Sequence, residues 1–275
     1  MLKQYKQREE STYALMECFI DFTDRNSEAI RKLREQTKAS VKQQMEFPLS
    51  WIADTVQHEQ VQFKGYEAGY KPSEVSGLQR LFYDRNKPYE RSINYYNTFN
   101  ARVTAKKPVA YIIPQGWWKV IDLLKLNKVN MRAFGADTAI NITEYHIEDY
   151  KSSARPYEMH HLNSDVKVSS RQRTMNFRKG DYYVPMNQVA NRFLMEVLEP
   201  QADDSYFAWN YFDGVLGRKE WYSAYAFEDS AAVFLKGHPE LREKMEKEKE
   251  KLEFVYRSSP YYEPEYMRYP VYRVE

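Results

Sequence analysis

Glycine is scarce in this sequence. The 275 residues hold only 9, about 3% against the roughly 7% of average chains. Such a chain is poorly suited to chemistry that hangs on a glycine-rich phosphate loop. Cysteine is scarcer still. Cys18 is the only one, so no disulfide can form within the chain. Set among apolar helix neighbours, Cys18 is expected to be a small core residue rather than a nucleophile. No apolar run reaches membrane-spanning length, so no transmembrane helix is expected. Met1 to Glu10 carries no apolar stretch of the kind that marks a secretory signal. An excess of one charge is missing too. Lys and Arg number 41, Asp and Glu 39, and the net charge of +2 leaves no global field to hold nucleic acid or an anionic membrane.

What is abundant is aromatic. There are 24 tyrosines, and aromatic residues make up 16% of the chain. Disordered segments are aromatic-poor, so the chain is expected to fold. Its length suits one large domain or two modest ones.

Along the chain, residues 1–47 form a first segment in which about 9 to 44 read as one long helix. Leu15, Cys18, Phe19 and Phe22 recur at helical spacing, and Ile30 and Leu33 extend the stripe. Tyr13 to Phe22 is apolar on nearly every side, and the later half is charged. Residues 48–107 read as an antiparallel β segment of about four strands. Its turns are expected at Lys71-Pro72-Ser73, Ser76-Gly77 and Asp84-Arg85-Asn86-Lys87-Pro88. Residues 108–275 read as a mixed α/β region. It opens with a buried strand, Val109 to Ile113, fenced by Pro108 and Pro114, then a helix from Trp117 to Leu126 and a strand from Val129 to Phe134. The turn Pro114-Gln115-Gly116 has one glycine, too few for a nucleotide cradle. Long strands follow at about 139–150 and 165–177, with a short one at Tyr182 to Pro185. Helices are expected at about 188–198, 205–216, 224–236 and 239–257, then a proline-punctuated, extended tail from Tyr261-Tyr262-Glu263-Pro264 to Tyr269-Pro270. The fold class is therefore α+β: a long N-terminal helix, an antiparallel β segment and a mixed C-terminal region ending in helices.

The chemistry-bearing residues form no complete motif. His58, His146, His160, His161 and His238 lack zinc-helix spacing. A site joining His146, His160 and His161 with Glu158 is a weak alternative, because adjacent side chains in a strand point to opposite faces. No nucleophile-elbow Gly-x-Ser-x-Gly occurs. Glu144, Glu148, Asp149, Asp203, Asp204, Asp213, Glu228 and Asp229 lie near aromatics, where paired carboxylates could do acid–base work. Tyr206, Phe207, Trp209, Tyr211, Phe212, Trp221, Tyr222, Tyr225 and Phe227 could form a sugar or peptide platform. The spacing of Phe207 with Tyr211, and of Trp221 with Tyr225, favours core packing.

Four strings carry a resemblance. They are Tyr111-Ile112-Ile113-Pro114-Gln115-Gly116-Trp117, Gly180 to Arg192 (GDYYVPMNQVANR), Leu198 to Asp213 (LEPQADDSYFAWNYFD) and Tyr256 to Pro264 (YRSSPYYEP). Together they resemble the C-terminal part of bacterial, Bacteroidetes-type zinc carboxypeptidases, the carboxypeptidase A-like metallopeptidases. Two positions depart from the family pattern: Trp118, where members commonly have His, and Met159-His160-His161, where members have a Gly-His-Tyr-type string.

The resemblance also implies a starting point. The family's general-base glutamate sits in a Glu-Thr-His-Met-Leu-Lys stretch, and Met1-Leu2-Lys3 is similar to its end. On that alignment the zinc ligands, the substrate-carboxylate arginine and the general base would lie upstream. No catalytic, cofactor-binding or metal residue is then expected in this chain, and zinc belongs to the parent peptidase body. The expected role is a non-catalytic accessory portion, inactive alone. Its expected partner is the peptidase domain or a second copy, met through Tyr13 to Phe22; nucleic acid is not an expected partner. Family members are usually exported, which leaves this chain's own compartment open. Two alternatives stand beside this reading: a peptide- or glycan-binding module using exposed Tyr and Trp, and a hydrolase with a cryptic site.

Overall fold

A computed structural model describes residues 4–217, 224–251 and 266–275. The fold is α+β. The chain divides into two units: Met1–Phe47 with Ala105–Glu275, and Pro48–Thr104. Residues 1–47 and 108–275, separate segments in the sequence reading, thus share one unit.

The first unit begins with α1 (Tyr5–Arg25) and α2 (Ser27–Gln43). One long helix was expected; the helix is interrupted at Asn26 (φ −110°, ψ 12°). The Asn26 side chain donates to the Phe22 carbonyl (2.8 Å), a local bond that competes with regular helix geometry. α1 has no buried residue. Cys18 is exposed, not a core residue, because no described residue packs over that face of α1. The far end of α2 is held. Lys107 Nζ donates to the Lys42 carbonyl (2.7 Å), a cation at a helix C-terminus, and the Asn191 amide donates to the Val41 carbonyl (3.4 Å).

The centre of this unit is a six-stranded sheet. Its strands are β5 (Ala110–Ile113), β6 (Arg132–Ala133), β7 (Thr138–Ser152), β8 (Asn163–Phe177), β9 (Tyr182–Pro185) and β10 (Tyr272–Val274), in the order β6-β9-β5-β10-β7-β8. All four residues of β5 are buried, which is why its sequence is a continuous apolar run rather than an alternating one. β10 comes from the last residues of the chain and pairs antiparallel with β5, Tyr272 opposite Ile112. The sequence reading carried an extended tail as far as Pro270 and assigned no strand beyond it. β7 and β8 form a long hairpin interrupted by two register shifts. Its end tightens into a turn at Glu158 and Met159, both at positive φ (51° and 66°), closed by reciprocal backbone bonds between Tyr157 and His160.

α3 (Trp118–Leu126) follows a 3-10 turn (Gln115–Trp117) and buries Val120, Ile121 and Leu124. α4 (Asn191–Leu198) buries Leu194, Met195, Val197 and Leu198. The helix expected over 205–216 does not form. Successive turns, with Asn210 at φ +64° and a 3-10 turn at Asp213–Val215, replace it. This stretch buries Tyr206, Phe207, Ala208 and Phe212, so its apolar side chains do not keep to one helix face. α5 (Ala224–Gly237) and α6 (Pro239–Lys251) complete the described elements. Trp221, Tyr222, the last six residues of the helix expected over 239–257 and the tail as far as 265 lie outside the described residues.

The second unit holds β2 (Glu59–Pro72) and β3 (Gln79–Tyr95), paired as a long two-stranded ribbon. The strands β1 (Glu46–Ala53) and β4 (Phe99–Lys106), through which the chain enters and leaves the unit, pair with each other. These are two separate pairs, not one four-stranded sheet. The ribbon turns at Ser73–Leu78, with Gly77 at φ +70°. The turn expected at Asp84–Pro88 is instead a bulge inside β3. Pairing jumps from Tyr66 opposite Pro88 to Glu67 opposite Asp84, and Asp84 Oδ1 accepts the Asn86 N–H (3.0 Å) to round the extra residues.

Candidate functional site

The histidines singled out by sequence do not converge. His146, on β7, lies 3.1 Å from Glu148 Oε1. His160 packs against the rings of Trp209 (5.4 Å) and Tyr211 (6.3 Å). His161 turns to the Ser153 carbonyl (2.7 Å), and His58 and His238 each sit against a nearby carbonyl. Among the described residues no group of three or more His, Cys, Asp or Glu is placed to hold a metal, so these side chains do not fit a zinc centre.

The carboxylates disperse as well. Glu144 pairs with Arg171 and Arg173, Asp149 with Lys167, and Glu148 with Ser169. Asp204 accepts the Trp209 indole N–H, and Asp213 accepts the Asn163 amide. Asp203, Glu228 and Asp229 are exposed. Of the aromatic platform, Tyr206, Phe207 and Phe212 are buried, with Phe207 and Phe212 both edge-on to Tyr269. Burial pushes the Tyr206 hydroxyl up to about 12. Core packing was the better reading for these residues. It fails for Tyr225, which stands fully in solvent, and for Phe227, which is exposed.

Sequence reasoning missed a buried polar cluster. Glu199, at the end of α4, accepts bonds from Tyr111, Tyr145 and Arg273. The Arg273 guanidinium also donates to the Lys106 carbonyl (2.6 Å) and to Glu275 (2.8 Å). Burial raises the Glu199 carboxyl, against the pull of Arg273. Burial would lower Arg273, but Glu199 overcomes it and the guanidinium is held upward. The pair is ionised, because arginine keeps its proton and three donors converge on one carboxylate. Tyr111, Glu199 and Arg273 are buried, and the members of the cluster use their bonds on each other and on the backbone. It is a staple tying the last strand to α4 and β5, not a reactive centre.

Two features face outward. The first is α1. Tyr5, Tyr13, Leu15, Met16, Phe19, Ile20 and Phe22 are all exposed along it, from about half to three quarters of their surface. Isolated exposed apolar residues are ordinary; a run of them along one helix marks an interaction surface. The second is a cavity of about 600 Å³. It opens at the end of the six-stranded sheet where β5 and β8 finish and β9 and β10 begin. Pro114 to Trp117, Met175 to Arg178 with Asp181, the turn at Gly214-Val215 and the approach to β10 supply its walls. The cavity was not legible as a site in the sequence, whereas the Tyr13 to Phe22 face was singled out there as the expected meeting surface. Comparison with protein-family models, with curated proteins and with solved structures found no match to this chain.

Proposed function

We propose that this chain is a non-catalytic accessory body of a zinc carboxypeptidase-like protein, and that a peptidase body docks on α1. One observation carries the reading. α1 runs 21 residues without a buried side chain, while Leu15, Phe19 and Phe22 stand in solvent at one-face helical spacing. Most helical stability in proteins comes from packing an apolar face, so a helix built like this implies a body to pack on. The strings that carry the resemblance lend support from elsewhere in the same unit: Tyr111 to Trp117 includes most of β5, and Gly180 to Arg192 includes β9.

The test measures the purified chain by itself. Elemental analysis and a chromogenic C-terminal peptide substrate are expected to give no stoichiometric zinc and no turnover. Stoichiometric zinc with turnover overturns the accessory role and favours a cryptic hydrolase.

A further inference from the structure

We propose that the cavity at the sheet end binds a neutral aromatic molecule, a body of flat rings without a charged group. The inference stands on the cavity alone and does not depend on the accessory reading. Its volume, about 600 Å³, lies in the range of small-molecule sites. Aromatic rings form its walls. Phe177 and Tyr272 are buried there, edge to face with ring centroids 5.3 Å apart. Trp117, half-buried, adds a third ring and is itself braced edge-on by Phe212 at 5.0 Å. Rings set by such packing meet a flat apolar body at little cost in side-chain ordering. Gly214 keeps the ground beside Trp117 open. A Cβ added there would lie 3.7 Å from the Trp117 ring, an ordinary contact, so a larger side chain would occupy space that the glycine leaves to a ligand.

Charge decides against an ion. Among the described lining residues the charged side chains are Arg178, Asp181 and Arg268, and each is already engaged within the protein. Arg178 pairs with Asp137 (2.9 Å). Arg268 lies over the Tyr272 ring at 6.0 Å and donates to the Tyr272 hydroxyl. Asp181 accepts the backbone N–H groups of Gln115 (3.0 Å) and Arg178 (2.8 Å), one on each oxygen. A charged ligand would give up its water without a spare counter-charge to receive it, which is costly. Flat apolar rings meet no such penalty and gain from leaving water.

Fluorescence titration of the intact chain with N-phenyl-1-naphthylamine, whose emission rises when it leaves water, tests this. The control is 8-anilino-1-naphthalenesulfonate, the same ring system bearing a sulfonate. The neutral dye is expected to bind saturably at one site, and the sulfonate at least about tenfold more weakly, because nothing offsets the desolvation of its charge. Gly214→Leu, which fills the ground beside Trp117, and Trp117→Ala, which removes a wall, are each expected to weaken the neutral dye by about tenfold or more. Phe19→Glu is expected to leave binding unchanged, which separates the cavity from the exposed face of α1. The comparison of the two dyes uses the intact chain and keeps the test decisive if the cavity variants misfold. Absence of saturable binding, a sulfonate as tight as the neutral dye, full affinity in a folded Gly214→Leu, or loss of binding in Phe19→Glu overturns the proposal.

Discussion

Arg273 and Glu199 are each almost wholly buried, and each depends on the other. Removing one partner of such a pair leaves a charge with no compensation, at a cost of about 3–5 kcal/mol. Arg273→Met is expected to lose about that much at neutral pH in denaturant unfolding. The pH dependence has a definite sign. Burial raises Glu199, and Arg273 is the largest influence holding it down. Without Arg273 the native carboxyl titrates still higher, so the native state binds the proton more tightly than the unfolded chain does. Stability tied to that proton is complete below the ordinary carboxylate value, about 4.3, and is lost as pH rises through the raised native one. The deficit of Arg273→Met is therefore expected to shrink on acidification from about pH 7 towards pH 4.5. A deficit unchanged with pH would mean that Glu199 is not the group left stranded. A second residue-scale test lies at the tip of the β7–β8 hairpin. Glu158 and Met159 occupy the left-handed region, and Met159 is 96% exposed, so it packs on nothing. The turn geometry favours Asn-Gly. The double change Glu158→Asn, Met159→Gly is expected to stabilise by about 1 kcal/mol, the relieved strain less the entropy glycine adds to the unfolded chain. A lower denaturation midpoint would contradict it.

Among the elements, α1 carries the clearest consequence of unburied apolar surface. Phe19→Glu and Phe22→Glu alter side chains already in solvent, so unfolding free energy is expected to stay within about 0.5 kcal/mol of the parent. Association with a separately produced peptidase body, followed by sedimentation, is expected to be lost. Docking that survives both changes would move the partner elsewhere. The helical period of α1 was readable because spacing is local. Whether the stripe is covered is not a local property, and so Cys18 was placed in a core it never enters. The same distinction runs through the sheet. β5 was legible because prolines fence a four-residue apolar run. β10 was not, because its three residues gain their place only from partners far earlier in the chain, Tyr272 opposite Ile112 and Arg273 opposite Thr143. Tyr206 to Phe212 misled in the opposite direction. Helical spacing arises by chance in a stretch so aromatic, and turns buried its rings instead. The cavity could not be read at all, since four separated stretches build it and none has a motif of its own.

At the scale of the whole molecule, the two units differ in how they are held. The first unit has a sheet in which β5 is wholly buried between β9 and β10, together with packed helices and the Glu199–Arg273 staple. In the second unit, no residue of β2 or β3 is fully buried. A two-stranded ribbon of this kind is marginal in water. Its support is local. The rings of Tyr89 and Phe82 lie across Gly65 and Gly69, where an added Cβ would meet them at 2.6 and 2.9 Å. Arg91 stacks on the Tyr89 ring at 4.3 Å, and Lys71 lies 5.1 Å from the Phe82 ring. Contacts worth about 0.5–1 kcal/mol each at exposed sites cannot match burial of a core. Opening free energy should therefore fall in two classes. Native-state hydrogen exchange is expected to show β2 and β3 amides exchanging through local opening, with little dependence on global stability. Amides of β5 and β10 should exchange only with global unfolding and follow the loss seen in Arg273→Met. If the ribbon amides slow to the same limit as β5, or respond equally to Arg273→Met, then the ribbon folds as one cooperative body with the sheet and the division into two energetic units is wrong.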